Sequence, residues 1–208
     1  MSFAKRFFQN ASRPEGFLGR LMLNGMNLGH AKVTAWGLSL LEGLAPQTVL
    51  DCGCGGGRFL NLMLKKHPNA KGCGLDYSEA SVKKATQVNR AFIREDRCRI
   101  VQGDIRNFPF DDNSFDLITA FETVYFWPDI AKCFEGVYKA LRSGGTFLVV
   151  NEINGKDKSG QMWKDLVDGL ELYTGDQLQG YMRKAGFADL NIKVFEKDSW
   201  LAVIAKKL

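Results

Sequence analysis

The sequence lacks a long apolar run and a metal-binding cysteine pattern, and we expect neither a membrane span nor a secretory leader. No run approaches the ~18 consecutive apolar residues that a membrane-spanning helix needs, and the first ten residues carry charge without a sustained apolar core. Cys52 and Cys54 have no second cysteine pair at zinc spacing and no cysteine triplet suited to an iron–sulfur cluster. The other cysteines lie in apolar patterns. We therefore expect reduced, buried thiols, a cytoplasmic location and no bound metal.

Two nucleotide-binding patterns are incomplete. Counting from Gly53, the dinucleotide pattern G-x-G-x-x-G needs its third glycine where the chain has Arg58. The phosphate-loop pattern G-x-x-x-x-G-K-[ST] is absent, because Arg58 and Phe59 follow the glycine run. A nicotinamide dehydrogenase would share the glycine turn, but the missing third glycine argues against that class.

The chain has little excess charge. Its 208 residues include 28 basic and 23 acidic side chains, a net charge of +5, and 45% are hydrophobic. This composition suits one domain with a sizeable core. The basic residues of 90–99 are interleaved with Glu95 and Asp96, which indicates solvated helix faces rather than a nucleic-acid surface. We expect a monomer or homodimer that binds no nucleic acid.

The rest of the sequence is organised around residues 48–59, which read T-V-L-D-C-G-C-G-G-G-R-F. An apolar run from Thr48 to Leu50 precedes Asp51, and four glycines follow within five residues before a helical pattern begins at Phe59. Glycine permits positive φ and leaves space for a ligand against the main chain. The segment predicts a strand, a ligand-binding turn and a helix.

Acidic residues also follow the next two predicted strands. The strand Ala70 to Leu75 is followed by Asp76, and the strand Cys98 to Gln102 is followed closely by Asp104. Ligands of open α/β sheets bind beyond the carboxyl ends of the strands. Together with Asp51, these acids predict one ligand site. Two carboxylate oxygens on Asp76 suit a ribose diol, because each can accept from one hydroxyl.

Three segments resemble motifs of the class I S-adenosylmethionine-dependent methyltransferases. The pattern G-x-G-x-G with an acid two residues earlier is similar to the family's first motif. F-D-L-I-T-A-F-E-T-V-Y-F-W-P-D from residue 115 is similar to the fourth motif, and L-R-S-G-G-T-F-L-V-V from residue 141 resembles a late one. The resemblance covers about residues 45 to 205 and points to the small-molecule (type 11) branch. It implies S-adenosylmethionine as cofactor and S-adenosylhomocysteine as product.

The resemblance implies roles for single residues. Asp51 would hold the cofactor's ammonium, Asp76 would grip the ribose with Tyr77 against the adenine, and Asp104 would bind the adenine amino group. The alternative role of Asp76 and Ser78 is to cap the next helix, and both roles are compatible. The implied cofactor-binding residues are Asp51, Gly53, Cys54, Gly55, Gly57, Asp76, Tyr77, Ser78, Gly103, Asp104, Ile105 and Phe121.

The expected fold is a Rossmann-like α/β domain. Its seven-stranded mixed sheet would have strand order 3-2-1-4-5-7-6, an antiparallel last strand and helices on both faces. Residues 1–44 would form an N-terminal helical cap and residues 45–208 the methyltransferase domain. The expected helices include Phe17 to Leu23, Ala31 to Leu44, Ser78 to Arg94, Pro128 to about Leu141 with a cap at residues 143–145, and one around Met162 to Leu172 in an insertion over the acceptor site.

Methyl transfer by in-line displacement needs little catalytic machinery. A sulfonium methyl is already electrophilic, and holding the reactants in place supplies ~7 to 11 kcal/mol. A hydroxyl acceptor would still need a base, for which Glu122, Tyr125 and His30 are the candidates. Asn27 and Trp36 are expected to face the same site.

The acceptor remains open at the level of sequence. Phe121-Glu122-Thr123-Val124 stands where enzymes that methylate amino groups of DNA bases carry Asn or Asp, two prolines and an aromatic residue. This argues against base methylation, and the compact chain favours a small-molecule acceptor. The alternatives are a protein or RNA methyltransferase, or a non-catalytic S-adenosylmethionine-binding protein.

Overall fold

One sheet organises the described chain, which in this computed structural model comprises residues 30–156, 164, 167 and 169–208. The strands are β1 (Thr48–Cys52), β2 (Lys71–Asp76), β3 (Cys98–Gln102), β4 (Phe115–Phe121), β5 (Leu141–Asn151), β6 (Ala188–Phe195) and β7 (Trp200–Lys206). The helices are α1 (Ala31–Ser39), α2 (Arg58–Lys66), α3 (Glu79–Val88), α4 (Arg90–Arg94), α5 (Ile130–Ala140) and α6 (Gly175–Lys184), with 3₁₀ turns at Ile105–Asn107 and Val124–Phe126.

The strand order is β3-β2-β1-β4-β5-β7-β6, which confirms the predicted order. Strand β1 pairs in parallel with β2 and β4, whereas β7 pairs antiparallel with β5 and β6. Because β1 is central, the turn that follows it lies between the carboxyl ends of its two parallel neighbours. This is the edge of the sheet at which ligands bind in such folds.

Two apolar clusters cover the two faces of the sheet. On one face, Phe134 of α5 and Met182 of α6 pack with Phe147 of β5. On the other face, Val33 of α1 and Leu60 of α2 pack against β1, β4 and β5. Helices therefore lie on both faces, as predicted. Among helices in the described ranges, none has the length and apolar character to cross a membrane.

The expected continuous helix from Ser78 to Arg94 is wrong, because the chain breaks at Asn89. This residue has φ −101° and ψ 13°, outside the helical region. Its buried side-chain amide donates to the carbonyls of Ala85 and Gly57, each at 3.0 Å. Asn89 thereby links the end of α3 to the glycine turn, and this contact replaces helix continuation.

The expected helix from Pro128 to Leu141 also has different ends. It begins at Ile130, where the Asp129 carboxylate caps it by accepting from the Lys132 amide at 3.4 Å. Residues 143–145 belong to β5 instead of capping the helix. The reason is pairing with the end of β7: the Gly144 amide donates to the Lys207 carbonyl at 2.7 Å.

Helix α1 ends at Ser39 instead of Leu44, and short turns follow it. The expected helix Phe17 to Leu23 and Asn27 lie outside the described residues. So does most of the expected helix around Met162 to Leu172. These predictions therefore stay predictions.

Candidate active site

A cavity of about 360 Å³ opens at the carboxyl ends of β1, β2 and β4. It brings together residues that are far apart in the sequence. The predicted site residues in its lining are His30, Asp51, Gly53, Cys54, Gly55, Asp76, Tyr77, Gly103, Asp104, Ile105, Phe121 and Glu122.

Two glycines of the turn pack closely against neighbouring residues, and a third has free space beside it. Gly53 has φ +71°, and a Cβ there would lie 2.1 Å from the Thr123 hydroxyl oxygen. Gly57 has φ +74° and a Cβ there would lie 2.8 Å from the Ala85 Cα. A Cβ on Gly55 would meet no atom within 4 Å. The turn therefore presents bare backbone to the cavity at Gly55.

Asp51 is a buried carboxyl at the end of β1, with 2% of its surface exposed. The Thr119 hydroxyl donates to it at 2.9 Å. Burial, with a smaller contribution from the charge of Asp76, raises the pKa of Asp51 to about 7. Within the described ranges no Lys or Arg forms an ion pair with it. A ligand cation is the partner that such a carboxylate lacks.

Asp76 connects the ends of β1 and β2. One of its oxygens accepts from the Gly55 amide and the other from the Ser78 amide, each at 2.9 Å. Burial raises the pKa of Asp76, and these hydrogen bonds oppose that rise. The Ser78 hydroxyl accepts from the Ser81 amide at 3.4 Å and caps α3. The capping role given to Ser78 as an alternative is therefore present.

Asp104 is engaged by a neighbour that sequence reasoning missed. The Arg106 guanidinium donates to both of its oxygens, with Nε at 3.0 and 2.9 Å. This hydrogen-bonded pair lowers the pKa of Asp104. Arg106 also lines the cavity. Its approach depends on the 3₁₀ turn after Asp104, which no sequence motif marks.

The three candidate bases form one group at the other end of the cavity, together with Glu152. The Tyr125 hydroxyl donates to Glu122 Oε2 at 2.9 Å, and the Glu152 amide donates to Oε1. His30 Nε2 lies 3.7 Å from Glu152 Oε2. Burial, followed by the charge of Glu152, raises the pKa of Glu122 to about 8. Burial lowers the pKa of His30 and raises that of Tyr125.

Some predicted residues lie beside the cavity and do not line it. Gly57 precedes α2, Ser78 caps α3, and Tyr125 lies behind Glu122. The expectation for Trp36 is wrong: its ring packs against Phe195 and Trp200 at 6.0 and 5.9 Å.

Sequence reasoning missed Thr119, Thr123, Arg106 and Glu152. Three of them, Thr119, Thr123 and Glu152, contact site residues on elements that are distant in sequence. Pairing of β4 with β1 and with β5 brings those elements together.

The comparison with known families decides the assignment. The family described as methyltransferase domain matches residues 45–190, more than half of the chain. The chain belongs to the class I S-adenosylmethionine-dependent methyltransferases. The predicted family, fold and enzyme class are thereby confirmed.

Two relatives illustrate the range of similarity. This chain is 26% identical over 158 residues to the uncharacterized methyltransferase YdaC of Bacillus subtilis. The match covers 76% of this chain and 81% of YdaC. This chain is also 33% identical over 111 residues to cycloartenol-C-24-methyltransferase of Arabidopsis thaliana. The match covers 53% of this chain and 33% of the plant enzyme. The methyltransferase thus spans about a third of the length of that relative.

A solved structure shows the same fold. Human N-acetylserotonin methyltransferase in complex with SAM superposes with a TM-score of 0.74 at 20% identity. The match covers 91% of this chain and 56% of the human chain.

Proposed function

We propose that the methyltransferase binds S-adenosylmethionine in the cavity and transfers its methyl group by in-line displacement to a small-molecule acceptor. When bound, S-adenosylmethionine supplies an electrophilic sulfonium methyl, so the chain needs no covalent nucleophile. The observation that carries the proposal is the convergence of Asp51 and Asp76 on the open backbone of the glycine turn.

The cavity residues fit the parts of this cofactor. Asp51, buried and without a Lys or Arg partner in the described chain, suits the ammonium group. Asp76 suits the ribose hydroxyls, and Tyr77, which is 42% exposed in the lining, suits the adenine face. Asp104 and the Ile105 amide would bind the adenine edge. To accept a hydrogen bond from the adenine, the Asp104 carboxylate must release its hydrogen bonds from Arg106 or keep them alongside the new one.

Glu122, Tyr125 and His30 would act on the acceptor's proton. Glu122 lines the cavity, and because its pKa is about 8 it is mostly protonated at neutral pH and becomes able to accept a proton as the pH rises through 8. Tyr125 is bonded to Glu122 and would act by positioning that carboxyl. His30 also lines the cavity.

The small-molecule acceptor class is supported by relatives such as the cycloartenol enzyme. We further propose a cytoplasmic monomer or homodimer without nucleic-acid binding. The five free, buried cysteines support a reducing location.

The test is transfer of a labelled methyl group from S-adenosylmethionine to a cell extract separated into small-molecule, protein and RNA fractions. We expect label in the small-molecule fraction, loss of transfer in Asp76→Asn, and wild-type transfer in the exposed-site control Asp112→Asn. Label in the protein or RNA fraction would support those acceptors instead. Cofactor binding without transfer into any fraction would identify a binding protein.

A further inference from the structure

One imidazole and two carboxylates converge at the acceptor end of the cavity. His30 precedes α1, Glu122 follows β4, and Glu152 follows β5. One nitrogen or oxygen from each residue lies within 4.8 Å of the others, and His30 Nε2 is 3.7 Å from Glu152 Oε2. Three separate elements therefore bring these donor atoms together. His30 and Glu122 also line the cavity, so the group is accessible to a ligand.

The backbone and its hydrogen bonds hold Glu122 in this position. Glu122 adopts φ +55°, a left-handed conformation that is costly for a residue with a Cβ and that clusters at functional sites. The Tyr125 hydroxyl and the Glu152 amide each hold one carboxylate oxygen. The second bond also ties Glu122 to the end of β5, so the two acids approach each other as a consequence of strand pairing.

The carboxyl groups of the cluster lack a Lys or Arg partner among the described residues. In the described part of the chain, neither Glu122 nor Glu152 has a Lys or Arg within ion-pair distance, and the charge of Asp198 is also close to Glu152. A bound cation would supply the positive charge that these two carboxyl groups lack.

We propose that His30, Glu122 and Glu152 bind a divalent transition-metal cation at the acceptor end of the cavity. A neutral imidazole with two carboxylates is a donor set of the kind that Mn²⁺, Fe²⁺ or Zn²⁺ accepts, with water or an acceptor oxygen in the remaining positions. The proposal replaces the sequence-based expectation that the chain binds no metal.

The role of the cation, unlike its binding, rests on the proposed function. A hydroxyl acceptor bound to the cation would be acidified, so its proton would pass to solvent. Its oxygen would then bond to the methyl carbon as the methyl–sulfur bond breaks and S-adenosylhomocysteine leaves. Glu122 and His30 would then act on the acceptor's proton through the cation and not by direct transfer. The substrate class this predicts is a hydroxyl-bearing small molecule.

The chain offers a matched internal control, because it has two histidines, His30 and His67. The experiment titrates chelator-treated protein with Mn²⁺ and follows the two imidazole signals by NMR. We expect the His30 signals to broaden at a small fraction of one Mn²⁺ per chain, while His67 keeps its line width. Glu152→Gln should weaken this binding at least tenfold, whereas Glu79→Gln, at an exposed acid on α3, should leave it unchanged.

Equal broadening of His30 and His67, no broadening of either, or wild-type Mn²⁺ binding in Glu152→Gln would overturn the proposal. Glu152 is partly exposed, with 32% of its side chain accessible, so this variant is expected to fold. Its melting temperature and its binding of S-adenosylhomocysteine check that expectation. Measuring Mn²⁺ binding and S-adenosylhomocysteine binding on the wild type separates the two proposals. If the protein binds Mn²⁺ but not S-adenosylhomocysteine, the proposed function is contradicted and the metal site is retained.

Discussion

The carboxylate of Asp76 accepts a hydrogen bond from the backbone amide of Gly55 at 2.9 Å. The acid at the end of β2 therefore holds the turn that follows β1. The Gly53 and Cys54 amides add to this link by donating to the Leu75 carbonyl at 2.7 and 3.0 Å. The glycine turn is thus shaped by protein contacts in the absence of a ligand, which would lower the ordering cost of the proposed binding.

Gly53→Ala should destabilise the protein strongly. The new Cβ meets the Thr123 hydroxyl oxygen at 2.1 Å in addition to the strain of φ +71°. The free energy of unfolding should fall by about 2 to 4 kcal/mol. Gly43→Ala is the control, because Gly43 has φ +85° but no atom within 4 Å of a Cβ; its loss should be about 1 kcal/mol. Denaturant titration measures both, and equal losses would contradict the packing argument.

Asn89→Ala should lower both stability and cofactor affinity. It removes the donor to the Ala85 and Gly57 carbonyls in a fully buried position. We expect a loss of about 1 to 3 kcal/mol in the free energy of unfolding, and weaker binding of S-adenosylhomocysteine because the turn at Gly57 loosens. Asn61→Ala removes one half-buried bond to the Val88 carbonyl, so it should lower stability less and leave the affinity unchanged. A larger effect from Asn61→Ala would refute this.

Cofactor affinity should rise with pH through the pKa of Asp51. That pKa is about 7, and only the ionised carboxylate attracts the cofactor's ammonium group. Calorimetric titrations with S-adenosylmethionine at pH 5.5 and pH 7 should therefore show tighter binding at pH 7, where the cofactor's α-amino group is still mostly protonated. The Asp51→Asn variant should bind S-adenosylmethionine weakly at both pH values. Asp104→Asn should keep the pH dependence, because the pKa of Asp104 is lowered. A wild-type affinity that is flat with pH would contradict this role.

The same pKa predicts the pH dependence of stability. Because the folded-state pKa of Asp51 is raised from 3.8 to about 7, the folded protein binds more protons than the unfolded chain between these values. Asp51 therefore lowers stability as pH rises through this window, and the loss persists above it. Asp51→Asn should melt at a higher temperature than wild type at pH 8 and gain little at pH 4. Destabilisation at pH 8 would show that the Thr119 hydrogen bond outweighs burial.

Arg106→Gln should tighten the binding of S-adenosylhomocysteine. It frees the Asp104 carboxylate, which the proposed adenine contact requires. Since the Arg106 side chain is 58% exposed, the ion pair is weak and the gain should stay below about tenfold. Arg90→Gln, at an exposed position on α4, is the control. Weaker binding in Arg106→Gln would mean that Arg106 itself contacts the ligand.

The sequence predicted the parts of the site that local patterns encode. Apolar runs located β1, β2 and β3, and the acids lie at one edge of the sheet: Asp51 and Asp76 in the last residues of β1 and β2, and Asp104 just after β3. The glycine run located the turn, since positive φ and close packing restrict residue choice at Gly53 and Gly57. These features are visible because each depends on neighbours in the sequence.

Contacts between distant segments could not be predicted in this way. The break at Asn89 depends on the Gly57 carbonyl, and the early start of β5 depends on the Lys207 carbonyl. The contact between Glu122 and Glu152 exists because β4 pairs with β5. Each of these residues is ordinary in its own sequence window, so no local pattern distinguishes it.

Calorimetric titration of wild type and Asp76→Asn with S-adenosylhomocysteine tests the central claim most directly. We expect one binding site per chain in the wild type, and an affinity at least tenfold lower, about 1.4 kcal/mol or more, in Asp76→Asn. The control Asp112→Asn should bind as wild type. No binding heat in the wild type, or wild-type affinity in Asp76→Asn, would contradict the account.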